Sequence, residues 1–289
     1  MTTNPNDVCA ALLAEVDSPC EVVDGDWHAA RRVGGSSIAT LVGANPFAAA
    51  PALDAYLEAI GAPRDEPGPA AKWGHWLEGP LLIELSELRD IPFLHFGHTC
   101  LRRRDRDWET CSPDGLCVVD GKLVGADVKT TRARSGAWGT PGTDQVPERV
   151  FVQMQWCMHV TGADVWHVIV GFRDDCTSDP YVIRRDDEFI AVLRDVAEEF
   201  WSEHVVPRRP PQPAQWGGKT WDTAHARGRV AWKSAFHDLA DRMRASAVAA
   251  RKLAAEQPGV AELAQRNLEQ LEATIDNTIE RHRAAGEDA

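Results

Sequence analysis

No apolar run in this 289-residue chain approaches the ~20 residues a membrane span requires. The opening stretch, Met1-Thr2-Thr3-Asn4-Pro5-Asn6-Asp7, has no basic segment leading into an apolar one, so no signal peptide is expected. The seven cysteines are odd in number and scattered, without a CxxC pair. Neither a zinc ribbon nor a disulfide framework is suggested, and a reduced, cytoplasmic setting is expected. An excess of positive charge is missing too. Lys and Arg number 31 against 44 Asp and Glu, which leaves a formal charge of −13. That balance argues against indiscriminate coating of nucleic acid. It does not exclude a local basic groove, and Arg31-Arg32, Arg102-Arg103-Arg104, Lys129, Arg132 and Arg134 fall in one part of the chain. Much of the excess acid lies in 186–203 and in the C-terminal quarter. No internal repeat is found.

What is present is ordinary for a globular protein: 44% apolar and 26% charged residues, in a chain long enough to bury a substantial core and to hold more than one domain. Residues 7–16 read as a short helix with Val8, Leu12, Leu13 and Val16 as its apolar stripe. Gly34-Gly35 reads as a turn, and the serine that follows, ahead of Ile38 to Val42, as a helix N-cap. Such a helix start favours anions. Another helix is predicted over 51–61. A longer amphipathic one is predicted over 72–90, striped by Trp73, Leu77, Leu81 and Leu85. Strands are predicted around 93–96 and 110–111, then over 115–119 and 123–130, with Asp120-Gly121 as the hairpin turn. A Gly-, Pro- and Ser-containing loop covers 133–147. A helix over 148–161, strands over 165–171 and 181–183, and a helix over 186–204 complete the unit. Pro207 to Pro213 reads as a stiff linker. The expected organisation is a globular domain over 1–206, a linker over 207–219 and an antiparallel helical hairpin over 220–289.

The chemistry concentrates in Cys111-Ser112-Pro113-Asp114-Gly115-Leu116-Cys117 and in Asp127-Val128-Lys129. Strand side chains alternate faces, so Asp127 and Lys129 point the same way. A hairpin between the two segments folds Asp114 back beside them. Two converging carboxylates next to a lysine suit a hard divalent cation and an activated water. Cys111 and Cys117 match no common metal-ligand spacing and are expected to be packing residues. Glu78 and His75 are i and i+3 on the 72–90 helix, hence neighbours on one face. A carboxylate there could complete the site, whereas read alone Glu78 is a solvated surface residue and His75 a partner of a nearby carboxylate or carbonyl. Read alone, Gln153 and Gln155 are surface helix positions. The alternative is that one of them reaches a substrate phosphate or orients the attacking water.

Taken in order, these segments resemble the YqaJ-type phage recombination nucleases related to lambda exonuclease, within the PD-(D/E)xK nuclease superfamily. The Trp27-His28-x-x-Arg31, Val33 to Ala39 and Gly74-His75-Trp76-Leu77-Glu78 segments share in the resemblance. It spans roughly residues 25–205. It implies an α/β fold with a mixed central sheet flanked by helices, as in restriction endonucleases. It implies a Mg²⁺-dependent 5′ to 3′ exodeoxyribonuclease (Mn²⁺ substituting) that acts on double-stranded DNA ends and leaves 3′ single strands for phage-type recombination. A single-strand annealing protein as partner, a homo-oligomer and a bacterial or phage-infected host cell are implied in the same way. Position by position, Asp114 and Asp127 would be metal carboxylates, the Val128 carbonyl a further ligand, and Glu78 a ligand directly or through water. Lys129 would orient or deprotonate the water, Gln153 would touch the site, and Arg31 and Ser36 would hold the 5′-terminal phosphate. Two positions depart from the family. Asp127 stands where Glu is frequent, one methylene shorter, and activity is expected to survive. His75 stands where helicase-linked relatives carry a metal-binding histidine, and its role is left open, as is that of Gln155. The remaining alternatives are an endonuclease or opposite-polarity exonuclease on the same core, and a non-catalytic DNA- or protein-binding module.

Overall fold

The structure is a computed structural model that describes residues 4–23, 25, 30–47, 51–62, 68–97 and 99–211. The Trp27-His28 pair and the helical hairpin expected over 220–289 lie outside them, as does most of the linker. The chain divides into two units, Met1–Val230 and Ala231–Ala289, and the described residues all belong to the first. No described helix is long and apolar enough to cross a membrane.

The helices are α1 (Pro5–Glu15), α2 (Gly35–Leu41), α3 (Pro51–Ala59), α4 (Pro69–Arg89), α5 (Glu148–Thr161) and α6 (Asp187–Phe200). A single π-helical stretch, Trp201–Val205, continues α6. The strands are β1 (Cys20–Val22), β2 (Leu94–His95), β3 (Leu101–Arg103), β4 (Thr110–Cys111), β5 (Gly115–Val119), β6 (Lys122–Thr131), β7 (Val165–Phe172) and β8 (Thr177–Arg184).

A five-stranded sheet in the order β2-β5-β6-β7-β8 forms the centre. All its pairs are antiparallel except β6 with β7. A parallel pair needs a crossover long enough to return the chain to the same end of the sheet, and the loop after β6 together with α5 supplies it. Helices cover both faces, which is why β6 is buried almost continuously from Leu123 to Val128. Alternate residues of β6 go to different helices. Val124, Ala126 and Val128 pack with Leu81, Leu82 and Leu85 of α4. Leu123 joins the larger cluster that holds Val150, Met154 and Trp156 of α5. Asp127 and Lys129 share the phase of Leu123, so they face the α5 side.

The mixed sheet flanked by helices is the fold expected from the sequence. Several details differ. A second sheet, β1-β3-β4, was not expected. Its strands have three, three and two residues, too short for an alternating pattern to register. Helix α4 starts at Pro69 and runs through Pro80. Its N-terminal turns are not part of the core: Trp73 is 51% exposed. Helix α2 is capped by Gly34, not by a serine. The Gly34 N–H donates to the Ser37 hydroxyl inside the helix (3.2 Å), and Ser36 occupies the first turn.

Candidate active site

The site is built by the β5–β6 hairpin. Its turn consists of Asp120 (φ +50°) and Gly121 (φ +74°), both left-handed. Val119 pairs with Lys122, so the loop has two residues and the handedness of a type I′ turn. Counting back along the ladder, Gly115 pairs with Ala126, which brings Asp114 next to Asp127. The Asp114 carboxylate then takes over as acceptor where β5 ends: the Val128 N–H donates to its Oδ2 at 2.7 Å.

Asp127 is 1% exposed. Lys129 on the same strand contacts its Oδ2 directly, and the Gln153 amide donates to that atom at 3.5 Å. The other oxygen, Oδ1, is buried with no hydrogen-bond partner. Burial raises the Asp114 pKa well above the ordinary carboxylate range, and the charge of Asp127 raises it further, against the pull of Lys129. Burial likewise raises Asp127, with Lys129 opposing. Burial would lower the Lys129 pKa, but the charges of Asp127 and Asp114 outweigh it and the net shift is upward. The cluster therefore holds more acid than its lysine balances.

Glu78 adds to that excess, since its charge raises the pKa of both aspartates. Burial acts to raise its own pKa, but hydrogen bonds from His95 and His75 prevail and it stays lowered. His75 Nδ1 lies 2.8 Å from Glu78 Oε1 and His95 Nε2 lies 3.8 Å from Oε2. The sequence placed His75 beside Glu78 but gave no role to His95. Its arrival depends on β2 pairing with β5, which sets His95 opposite Gly115, and no local pattern announces that pairing.

The two glutamines separate. Gln153 enters the site. Gln155 is fully buried on the other side of α5, where its amide donates to the Arg184 carbonyl (2.7 Å) and its oxygen accepts the Asp186 N–H (2.9 Å). It is a joint between β8 and α6, not a surface residue and not a site residue. Cys111 and Cys117 are buried packing residues.

Arg31 and Ser36 also come together, with the guanidinium donating to the Ser36 hydroxyl at 3.4 Å. Glu58 lies 3.6 Å from Arg31 Nε. The first turn of α2 presses on α5 at Gln153. A Cβ at Gly35 would come within 2.7 Å of Gln153 Cγ, so a larger residue there would push the glutamine away. The Arg31–Ser36 pair and the carboxylates are thus joined through Gly35 and Gln153.

Among the described residues, no three His, Cys, Asp or Glu side chains are grouped so as to hold a metal ion unaided. The donors present are two buried carboxylates with one orphaned oxygen and an excess of negative charge. That set fits a Mg²⁺-like cation, which is commonly held by one or two carboxylates and keeps several waters.

A mixed sheet covered by helices on both faces, with two aspartates and a lysine converging on its central hairpin, is the arrangement that the resemblance to PD-(D/E)xK nucleases leads one to expect. Residues 26–164 match the family model of the YqaJ-like viral recombinase domain. Among solved structures it is similar to LHK-Exo, an alkaline exonuclease from Laribacter hongkongensis. In the complex of LHK-Exo with dAMP the identity is 20%, the TM-score 0.48, and the match covers 61% of this chain and 90% of that one. A phage-related exonuclease from Haemophilus somnus is 17% identical with a TM-score of 0.43, over 59% of this chain and 90% of that one. No curated protein matches the sequence significantly.

Proposed function

We propose that this chain is a divalent-metal-dependent exodeoxyribonuclease. It would degrade one strand of linear duplex DNA from the 5′ end and leave 3′ single strands for phage-type recombination. The observation that carries the reading is Asp114 brought beside Asp127 across a two-residue hairpin, with Lys129 on the same strand face. The YqaJ-like domain supports the recombination setting. Mg²⁺ is the proposed metal, with Mn²⁺ able to replace it. Asp114, Asp127 and the Val128 carbonyl would hold it, with Glu78 completing the site directly or through water. The chemistry such an ion supplies when bound is Lewis-acid stabilisation of phosphate charge and a lowered pKa for water.

The chain's own residues do the rest. Lys129, desolvated and charged, stabilises negative charge developing on the phosphate and orients the attacking water. Gln153 fixes the Asp127 carboxylate. His75 and His95 hold Glu78 ionised and turned toward the aspartates. Arg31 and Ser36 would grip a 5′-terminal phosphate, which sets polarity by anchoring one end. DNA ends are the proposed substrate, with an annealing protein and further copies of this chain as partners. Residues 1–206 form the proposed nuclease domain, 207–219 a linker and 220–289 an appendage.

Digestion of end-labelled linear and circular duplexes, with Mg²⁺ and with EDTA, tests this directly. Early release of 5′ label from the linear form only, abolished by EDTA, is expected. Cutting of the circle would make the chain an endonuclease, and early release of 3′ label would reverse the polarity. Absence of all cleavage would leave a binding module.

A further inference from the structure

Arg149 is a charged residue that the site as described does not use. It lies in the first turn of α5, four residues before Gln153, so the two side chains share a helix face. That face points at Asp127 and Lys129. The charge of Arg149 reaches Lys129, where it acts against the lysine's upward pKa shift. The guanidinium carbon lies 5.6 Å from the centre of the Phe47 ring, within cation–π range. Phe47 is itself 80% exposed. Arg149 is partly buried, and no carboxylate among the described residues pairs with it.

This combination costs free energy in the isolated protein. A cation that has shed water without gaining an anion is destabilised, and burial pulls the Arg149 pKa down accordingly. A second cation, Lys129, stands nearby. Most of the other basic residues named from the sequence are matched: Arg102 meets Glu21, Arg132 meets Asp174, and Arg134 meets Asp175 and Asp179. A guanidinium held over the face of an aromatic ring keeps its N–H fork, at the edge of its own plane, open to an incoming acceptor. The acceptor that this open cation beside a phosphodiester site fits is a further phosphate.

We propose that Arg149, held in place by Phe47, is a phosphate-binding residue. It takes a backbone phosphodiester of the DNA strand next to the one cleaved beside Lys129, distinct from the terminal phosphate assigned to Arg31 and Ser36. The proposal rests on the nuclease reading for the identity of the ligand, but its test does not require cleavage.

The test measures binding of a 5′-phosphorylated duplex in EDTA, over a salt series, by the full chain and by Arg149→Met and Arg149→Lys. Met fills similar space without the charge, so R149M should melt no lower than the parent. Its affinity should fall roughly 10-fold at 0.1 M salt, as expected on losing a charge-assisted hydrogen bond. The slope of log K against log salt should shrink by about 1, the signature of one lost phosphate contact. R149K should recover the slope and only part of the affinity, because it lacks the planar fork. In cleavage assays R149M should raise KM with kcat little changed. An unchanged salt slope and affinity in R149M would overturn the proposal, as would a slope in R149K as small as in R149M. If the parent binds with the predicted slopes but never cleaves, the nuclease reading fails and the phosphate site stands. If it cleaves and the slopes do not differ, the reverse holds.

Discussion

Two buried acid clusters lie on opposite ends of the same helix, α5, and they are built differently. At its N-terminal half, Gln153 meets Asp127, Asp114 and Lys129. At its C-terminal half, His159 Nε2 lies 2.7 Å from Glu109 Oε2, and Arg103 Nε lies 3.4 Å from the same atom. The Arg103 Nη1 also donates to the His159 carbonyl at 3.0 Å. Each cluster contains a carboxylate oxygen that is buried and unpartnered, Asp127 Oδ1 in one and Glu109 Oε1 in the other. An orphaned oxygen therefore does not by itself mark a functional site. The balance of charge does. Glu109 is one acid served by a guanidinium and an imidazole. The hairpin gathers two aspartates, with Glu78 close by, around one lysine, and the Asp114 pKa is driven up by burial and by its neighbour. The first arrangement is complete without a ligand; the second gains from an added cation.

If that difference is real, the two clusters should fail differently. The largest effect is expected at the hairpin. Asp114→Asn or Lys129→Ala should cut Mg²⁺-dependent digestion of linear duplex by about 10³-fold or more, at or above the loss seen when one oxyanion donor is removed. Asp114→Asn should leave the melting temperature unchanged or raised, because it relieves like-charge repulsion. Digestion at the parental rate by either variant would break the site assignment. Glu109→Ala should do the opposite. Unpairing buried groups should lower stability by about 3–5 kcal/mol, read in a denaturant titration, while the folded fraction keeps its activity in the cold. If it inactivates without destabilising, the cluster is not merely structural.

His167 sharpens the comparison, since it is buried but has no acid partner among the described residues. Burial, with Arg89 and Arg184 nearby, holds its pKa down at about 4. The unfolded chain binds that proton near pH 6.5 and the folded chain does not, so stability is full above that value. It declines as pH falls from about 6.5 to about 4, by up to about 3 kcal/mol. In His167→Phe this part of the acid sensitivity should vanish from a pH series of melting curves. The smallest effect belongs to Arg31. Arg31→Ala should reduce the preference for 5′-phosphorylated over 5′-hydroxyl ends roughly 10-fold, measured as a ratio of initial digestion rates. An unchanged ratio would remove Arg31 from the end-binding role.

The same contrast explains what the sequence could reveal. Asp114, Asp127 and Lys129 are legible because strand alternation and an Asp-Gly turn fix their relation over a short stretch. The long helices follow from apolar periodicity. Glu109 and His159 are 50 residues apart. His159 lies on α5 and Glu109 just before β4, in a sheet of two- and three-residue strands, below the length at which a pattern appears. His95 is missed for the same reason. The glutamines mark a middle case. Residues i and i+2 lie on different sides of a helix, so only one of Gln153 and Gln155 can face Asp127. Which one does depends on which face of α5 meets the sheet.

The hairpin turn has a consequence beyond joining two strands. Asp114 stands six residues before Asp120, and Asp127 six residues after Gly121. The two aspartates meet because the count is equal on both arms, and the turn works as the fold of a ruler. A one-residue slip would swing one carboxylate to the opposite face of the sheet. The spacing of the two aspartates is thus written in the two residues of the turn. A β-branched residue at 121, where the backbone is left-handed, should detune the chemistry from a distance and leave every active-site atom in the chain.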